Sequence, residues 1–295
     1  MKYAAIEFLT TKELAELLRI KERRVYDLAA SGDVPCSRAT GKLLFPRKAI
    51  DQWLVENGSG FSALRRKERP GVVVGSHDPL LEWALRESRS GLACLFDSSA
   101  DGLGRFKEGE AMVSGLHLYD PKLKQWNVPI VMEELDFRRA VLVEWAWRER
   151  GFVVVKGNPK DIQEWSDLKG TTIAGRQKGA GTTVLFEQLA TQEGLDLTKL
   201  KLSPEHRSEM DGVLAVSEGK ADVAFGLACF AKQYNLDFVP VIKERFDLLV
   251  CRKGWFDGPF QALMEFTNEK AFGQRARELG GYDVSGQWQV RYNGE

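Results

Sequence analysis

Apolar residues at the front of the chain recur with the spacing of short amphipathic helices. Leucines three and four positions apart predict a first helix from about residue 12 to residue 19, with the hydroxyl of Thr10 or Thr11 as its cap. A second helix is predicted from about residue 23 to residue 31, and Gly32 in the C′ position closes it. Two short helices joined by a tight turn are typical of small domains that bind in a DNA groove.

A hairpin and a third helix complete this segment. Pro35 breaks the chain after the second helix, and residues 37–45 have the pattern of a hairpin whose tip, residues 40–42, would form a wing. The third helix is predicted from residue 47 to residue 55, where it supplies Ile50, Trp53 and Leu54 to a small core. These elements predict a separate small domain over residues 1–57.

The pattern changes after residues 58–70, a stretch that begins with glycine and serine and ends with charges, as linkers do. From Gly71 onward, short apolar strands alternate with helices. The strand candidates are residues 72–74, 92–96, 111–115, 171–174 and 222–226. This alternation is typical of parallel α/β layers and predicts an α/β domain over residues 71–295.

The second domain repeats part of its sequence at an offset of 110 residues. In each copy a Ser-x-x-Asp-Gly helix start leads into Glu-Gly-x-Ala-x-Val, a helix end that turns into a strand. The recurring positions are Ser98, Asp101, Gly102, Glu108, Gly109, Ala111 and Val113, which return as Ser208, Asp211, Gly212, Glu218, Gly219, Ala221 and Val223. Unless it is a chance coincidence, the repeat predicts two similar lobes, the second at about residues 157–245.

Charge is distributed unevenly, although the whole chain is neutral. Residues 1–69 hold 14 Lys and Arg against 9 Asp and Glu, which leaves 28 against 33 for the rest. No basic segment followed by a long apolar run opens the chain, and no window approaches about 18 uninterrupted apolar residues. We therefore predict a cytoplasmic protein without a membrane partner.

The four cysteines, Cys36, Cys94, Cys229 and Cys251, are far apart and form no CxxC pair. This spacing disfavours a metal cluster or a disulfide scaffold, and we predict neither a metal nor a cofactor. Cys94, Cys229 and Cys251 lie in apolar, strand-like runs, so each is expected to be a buried free thiol.

The front segment resembles the excisionase-like winged helix-turn-helix family, which is related to the DNA-binding heads of mercury-resistance-type regulators. The resemblance rests on residues 9–15 with Val25-Tyr26, on residues 32–35 and on residues 41–54. It implies that the second helix lies in the major groove of double-stranded DNA. The residues assigned to DNA contact are Thr11, Lys21, Arg23, Arg24, Tyr26, Arg38 and Lys42, the last two on the wing.

Exposed Arg and Lys side chains at a helix start can reach both phosphates and guanine edges. The alternative is that Arg23 and Arg24 are solvated charges on a helix face. Their clustering inside this motif favours DNA contact, and a role as a protein-interaction module stays open.

The rest of the chain resembles the cytoplasmic form of the type II periplasmic-binding-protein architecture, in which two α/β lobes are joined by crossing strands. The residues that carry this resemblance are 96–103 with 109–111, 115–118, 148–151 with 157–159, 168–170, 176–183, 222–226, 237–241 and 244–249. It covers about residues 72–290, and the family often occurs near molybdenum or tungsten metabolism. The fold class is thus α/β, with a winged helix-turn-helix followed by a two-lobed sensor.

A cleft of this kind favours an anion, because loops at the carboxyl ends of parallel strands lead into helices whose positive ends face the crevice. Glycines allow close approach and hydroxyls donate hydrogen bonds. The residues predicted to bind ligand are Ser76, His77, Ser98, Ser99, Arg176, Gly179, Gly181, Thr182 and Thr183. Helix capping is the alternative for the two serines at 98 and 99, and for His77, while His117 and His206 are expected to be structural.

The ligand class depends on Arg176 and Lys178. Neutral donors commonly hold an oxyanion such as molybdate, whereas an arginine suits a carboxylate or phosphate through bidentate pairing. A molybdate- or tungstate-type oxyanion is favoured, and a small carboxylate or a larger cofactor-like anion stays open.

These patterns predict a one-component transcriptional regulator that binds DNA as a homodimer, since one small head makes few base contacts. The competing hypothesis is an architectural or recombination accessory protein without ligand response. An enzyme is disfavoured because no Ser-His-Asp arrangement, HExxH motif or nucleotide-binding signature is present.

Overall fold

The computed structural model describes residues 8–39, 41–57, 69–135, 140–177 and 180–294. The chain divides into two compact units, residues 1–68 and residues 69–295. Among the described helices, none is both long enough and apolar enough to cross a membrane.

The first unit contains the three predicted helices and a short strand pair. Their bounds are α1 (Thr11–Leu18), α2 (Glu22–Ser31), α3 (Arg47–Asn57), β1 (Phe8–Leu9) and β2 (Phe45–Pro46). The antiparallel β1–β2 pair was not predicted. Two backbone hydrogen bonds of 2.7 and 3.0 Å join Ser37 to Leu44 at the base of the predicted hairpin, whose tip residue Thr40 lies outside the described residues.

The caps of the first unit follow the sequence signals. Thr10 is the cap of α1, and it forms a capping box with Glu13, whose backbone N–H donates to the threonine hydroxyl. Gly32 closes α2 with φ +77°, a conformation that glycine adopts without strain. The start of α1 and the end of α2 are therefore set by local sequence.

The core of the first unit is small and centres on Leu14, Val25 and Ile50, which are fully buried. Trp53 packs against this core, but Leu54 is 37% exposed, so its assignment to the core is wrong. One residue along a helix turns the side chain by about 100°, which moves Leu54 off the face that Ile50 and Trp53 share.

The second unit is built on a long mixed sheet. The strands of this sheet are β3 (Val72–Ser76), β4 (Ala93–Asp97), β5 (Val113–Leu116), β8 (Ala140–Val154), β9 (Thr172–Ile173), β10 (Lys201–Leu202), β11 (Val223–Leu227), β12 (Asp237–Cys251), β13 (Tyr282–Asp283) and β14 (Val290–Asn293), while β6 (Tyr119–Asp120) and β7 (Gln125–Trp126) form a separate pair. Its helices are α4 (Pro79–Glu87), α5 (Ser99–Glu108), α6 (Val128–Glu134), α7 (Gly181–Gln192), α8 (Glu209–Ser217), α9 (Ala228–Gln233), α10 (Gly258–Thr267) and α11 (Lys270–Leu279).

The strand order β10-β9-β11-β8-β12-β5-β3-β4 runs through both lobes. All five strand candidates are present, and β3 pairs parallel to both β4 and β5. The crossing strands β8 and β12, 15 residues each, are antiparallel and were not among the candidates. Their pairing shifts register between Pro240 and Ile242 and again between Phe246 and Asp247, in the stretch that passes from one lobe to the other.

Each lobe has its own apolar core at one end of this sheet. The first-lobe core packs α4, α5, α10 and α11 on the sheet and includes Leu81, Phe106 and Leu249. The second-lobe cores include Phe152 and Trp165 on one side and Val213, Val216 and Phe230 on the other. The strands β8 and β12 contribute to both lobes, so they connect the two lobes.

The sequence repeat corresponds to a structural repeat. Ser98 caps α5 and accepts from the backbone of Asp101 at 3.1 Å, and Ser208 caps α8 in the same way at 3.0 Å from Asp211. Helix α5 leads into β5, and α8 leads into β11. The repeat therefore marks equivalent helix starts in the two lobes.

The cysteine prediction is partly wrong. Cys229 and Cys251 are buried, but Cys94 is exposed. Cys94 lies on β4, the last strand of the sheet, which pairs on one side only within the part of the chain that the structure describes. An apolar run in an edge strand is covered less completely than the same run in a central strand.

Two glycines of α5 offer a matched pair of substitutions. A methyl group on Gly102 would lie 2.3 Å from Gly75 Cα and 2.6 Å from Ser114 Oγ, whereas one on Gly104 meets nothing within 4 Å. We expect Gly102→Ala to lower the free energy of unfolding by about 1–3 kcal/mol, because the helix must move off the sheet. Gly104→Ala should raise it by about 0.5–1 kcal/mol. Chemical unfolding of both variants measures the two changes in the free energy of unfolding, which should have opposite signs. Changes of the same sign would contradict the close approach of α5 to the sheet at Gly102.

Candidate ligand site between the two lobes

A cavity of about 600 Å³ lies between the two lobes of the second unit. Loops that follow strands of both lobes line it. The first lobe contributes Ser76, His77, Phe96, Asp97, Ser98 and His117, and the second contributes Arg176, Gln177, Ala180, Gly181, Thr182, Arg207, Ser208, Glu209 and Phe230.

Three helices begin at this cavity. Ser98 and Ser208 cap α5 and α8, while α7 begins after Ala180 with no side-chain cap in the part of the chain that the structure describes. The first N–H groups of a helix have no partner inside the helix, and they carry the positive end of its dipole. Three such starts at one cavity favour a negatively charged occupant.

Arg176 adds a positive charge that the described residues do not neutralise by an ion pair. Its Nη1 donates to the backbone oxygen of His206 at 2.8 Å, and its Nε is buried without a hydrogen-bond partner among the described residues. Burial lowers the pKa of the Arg176 guanidinium, although the group stays charged at neutral pH. A guanidinium with unused donors at a cavity wall is suited to a carboxylate, phosphate or other oxyanion.

A buried charge network lies beneath the cavity on the crossing strands. Arg148 donates to Asp78 at 2.9 Å and also to Glu244. Arg150 donates to Glu244 at 2.7 Å and to Glu209 at 3.0 Å. Burial alone would raise the pKa of Glu244, but Arg148 and Arg150 hold it well below its ordinary value. The network is therefore ionised, and it ties strands of both lobes together at their connection.

Glu209 belongs to this network, although it lines the cavity. One carboxylate oxygen accepts from the backbone of Leu227 at 2.7 Å, and the other accepts from Arg150 and from the Thr182 hydroxyl at 3.2 Å. Burial opposes ionisation, but Arg150 lowers the pKa of Glu209 overall. The Glu209 charge is thus compensated by Arg150, on the side of the buried network.

His117 lies at the cavity wall and is 5% exposed. Its Nδ1 is 3.3 Å from Glu244 Oε2 without the geometry of a hydrogen bond, and no hydrogen-bond partner for this atom occurs in the described ranges. Burial lowers the pKa of His117, so the imidazole is neutral at pH 7. A neutral imidazole can donate one hydrogen bond and accept another, which makes His117 a candidate ligand contact rather than a purely structural residue.

The two lobes touch around the cavity. Gln177 of the second lobe donates to Asp97 Oδ1 of the first lobe at 3.1 Å. A Cβ built on Gly181 would lie 3.0 Å from the ring of His117, so glycine allows α7 to approach the first lobe closely. The lobes are therefore in contact beside the cavity, and a change in the angle between them must change these distances.

The structure brings most of the predicted ligand-binding residues together. Six of the nine line the cavity, namely Ser76, His77, Ser98, Arg176, Gly181 and Thr182. Ser99 is fully buried behind it, where its hydroxyl bonds Ser76 Oγ at 2.8 Å and accepts from the His117 backbone at 3.1 Å. Thr183 donates to the backbone oxygen of Gln177 and lines a neighbouring apolar pocket, and Gly179 lies outside the described residues.

Sequence reasoning missed several lining residues of the second lobe, above all Arg207, Ser208 and Glu209. The repeat contained the signal for Ser208, because it is the counterpart of Ser98. No comparable signal marked Phe230, which lies on α9 and reaches the cavity through the tertiary packing of that helix.

Comparison with known proteins identifies the larger unit. A family model of the PBP superfamily domain matches residues 82–268. The chain belongs to the PBP superfamily. A helix-turn-helix domain model matches residues 8–58 of this superfamily member, so a DNA-binding head precedes a binding-protein fold. This architecture is that of a DNA-binding regulator with a ligand-binding domain.

Relatives of this PBP-superfamily protein match along most of its length. The uncharacterised Bacillus subtilis protein YvgK is 27% identical over 305 residues, which cover 93% of this chain and 94% of YvgK. A phosphate-bound substrate-binding protein from Clostridium perfringens has a TM-score of 0.51 at 13% identity, covering 72% of this chain and 98% of its own. An OxyR variant from Corynebacterium glutamicum has a TM-score of 0.51 at 11% identity, covering 92% of this chain and 89% of its own. At these identities the two structures show a shared fold.

The helix-turn-helix head of this PBP-superfamily protein carries exposed cations at one helix start. Lys21, Arg23, Arg24 and Tyr26 are exposed at the beginning of α2, and none of the three cations forms an ion pair within the described residues. Cations near a helix N-terminus oppose the helix dipole, so helix stability does not account for them. Of the other residues assigned to DNA contact, Arg38 and Lys42 are exposed and Thr11 is half-buried; Arg38 also donates to the backbone oxygen of Ala29 at 3.2 Å.

Proposed function

We propose that this protein is a cytoplasmic one-component transcriptional regulator whose cleft senses a small anion. The observation that carries the proposal is the meeting of three helix starts and Arg176 at one cavity. The head binds double-stranded DNA through α2, with Lys21, Arg23 and Arg24 nearest the phosphates and base edges.

Two kinds of anion suit the donors. Serine hydroxyls and backbone N–H groups can surround a molybdate- or tungstate-type oxyanion, whereas Arg176 can pair with a carboxylate. Related folds include the phosphate-bound protein above and the sulfate-binding protein SubI of Mycobacterium tuberculosis, which has a TM-score of 0.50 at 16% identity, covering 72% of this chain and 85% of its own. Tetrahedral oxyanions are therefore the first probes.

Ligand acts by shifting the population of lobe arrangements. A ligand changes such an equilibrium only by its different affinity for the two states, and contacts that span both lobes supply that difference. Ser98 and Thr182 lie on opposite lobes, so a ligand that touches both favours one lobe angle. In a homodimer, a changed lobe angle alters the spacing of two heads on their half-sites.

We expect a thermal-unfolding screen of the full chain to detect the anion. At about 100 times its dissociation constant, a ligand stabilises the folded state by about 2.7 kcal/mol, which moves the melting temperature by several degrees. The panel contains molybdate, tungstate, sulfate, phosphate and small carboxylates. Ser98→Ala and Thr182→Val should reduce the shift, while Thr191→Val, on the exposed side of α7, serves as control.

The outcome separates the proposal from its competitor. A regulator has an operator affinity that changes with the anion, whereas an architectural protein bends DNA and ignores it. The proposed site would be contradicted if no anion of the panel raised the melting temperature. It would also be contradicted if an anion raised the melting temperature of Ser98→Ala and Thr182→Val as much as that of the wild type. Light scattering that finds only a monomer, on and off DNA, would contradict the dimer.

A further inference from the structure

The proposed ligand site has a wall that a bare inorganic anion leaves unused. His77, Phe96 and Phe230 line one part of the cavity, and the His77 ring contacts both phenylalanine rings. The His77 ring centroid lies 5.5 Å from that of Phe96, edge to face, and 6.5 Å from that of Phe230, nearly parallel. These three rings, the aromatic wall, come from both lobes and form one mostly apolar surface.

The size of the cavity also exceeds what an oxyanion needs. A tetrahedral oxyanion has five heavy atoms, which at roughly 30 Å³ each need roughly 150 Å³. The cavity measures about 600 Å³, within the range of pockets that hold organic ligands. The cavity has this volume although Gln177 and Asp97 already join the two lobes by a hydrogen bond of 3.1 Å.

The polar part of the same cavity calls for a ligand with hydrogen-bonding capacity. The His117 ring is 5% exposed and lines the cavity, and its Nδ1 lies 3.3 Å from Glu244 Oε2. The helix starts and Arg176 add further donors beside it.

We propose that the ligand is an organic anion that carries a planar ring. Its carboxylate or phosphate lies at the starts of α5, α7 and α8 and beside Arg176, and its ring lies against the aromatic wall. This inference rests on the proposed function and narrows it, because it requires the anion site and adds a requirement for the ring.

The test uses matched pairs of probes that differ by the ring alone. Phenyl phosphate is compared with methyl phosphate, and benzoate with acetate, by titration calorimetry on the full chain, with phosphate and molybdate alongside. In the pair whose anionic group the site accepts, we expect the ring to tighten binding by about tenfold or more. Phe96→Ala should weaken the ring-bearing probe several-fold more than its partner. Leu95→Ala, at an exposed neighbouring position that does not line the cavity, is the control.

Each outcome has a distinct meaning. A ring-bearing probe that binds no tighter than its partner, or an advantage that Phe96→Ala leaves unchanged, overturns the inference. If phosphate or molybdate still binds in that case, the proposed anion site stands. If no member of the panel binds, the anion site fails and the inference fails with it.

Discussion

Glu244→Gln should lower the free energy of unfolding of the second unit by about 3–5 kcal/mol, because it removes a carboxylate shared by two buried guanidinium groups. Arg148 and Arg150 are 2% and 1% exposed, so neither can turn to solvent for compensation. The variant leaves two cations with Asp78 and Glu209 as their remaining carboxylate partners.

Urea unfolding followed by tryptophan fluorescence measures this loss, since seven of the eight tryptophans lie in residues 69–295. Glu149→Gln is the matched control, because Glu149 lies half-buried on β8 between Arg148 and Arg150 and forms no ion pair among the described residues. The control should change stability by about 0.5 kcal/mol or less. Equal midpoints for the two variants would show that the network contributes nothing.

The loss of stability caused by Glu244→Gln should also depend on pH. Because Arg148 and Arg150 depress the pKa of Glu244, its contribution is complete above the ordinary carboxyl value of 4.5 and disappears as pH falls through the folded-state pKa. The difference between wild type and Glu244→Gln should therefore narrow in acid. A difference that stays constant from pH 7 to pH 3 would contradict an ionised Glu244.

Replacing Arg23 and Arg24 together by alanine should weaken binding to double-stranded DNA by about a hundredfold, while the anion-induced thermal shift stays intact. Each exposed arginine at the start of α2 is placed for a phosphate or guanine contact worth about 1–3 kcal/mol. For every phosphate contact removed, the slope of log affinity against log salt should fall by about one.

Fluorescence anisotropy with a duplex selected from a random pool measures both quantities over a salt series. Arg47→Ala is the control, because Arg47 is exposed on α3 but pairs with Asp51 at 3.1 Å. Unchanged affinity and slope in the double variant would refute α2 as the DNA-contacting helix.

The front of the chain was predictable because its signals are local. A hydroxyl at Thr10 with Glu13 three residues on, and a glycine at position 32, specify helix ends through contacts within a few residues. The misplaced Leu54 shows the limit of periodicity, since which face of a helix is covered depends on what packs against it.

The cleft was predictable in part. Strand ends and glycine-rich helix starts indicate which loops face a crevice, and the repeat indicates that each lobe contributes one serine-capped start. The crossing strands escaped prediction because the charges of Arg148, Arg150 and Glu244 interrupt their apolar pattern. Such charges are usually solvated, and here their mutual pairing allows burial.

The sequence by itself determined the two-part organisation, the Thr10 and Gly32 caps of the head and the helix starts that face the cleft, because each depends on neighbours in the chain. Only the tertiary structure decided that His117 lines the cavity, that Ser99 lies behind it, and that aromatic rings from both lobes form one wall. These features depend on residues that are distant in the sequence, such as His77 and Phe230. Such residues come close together because the two long strands β8 and β12 connect the lobes.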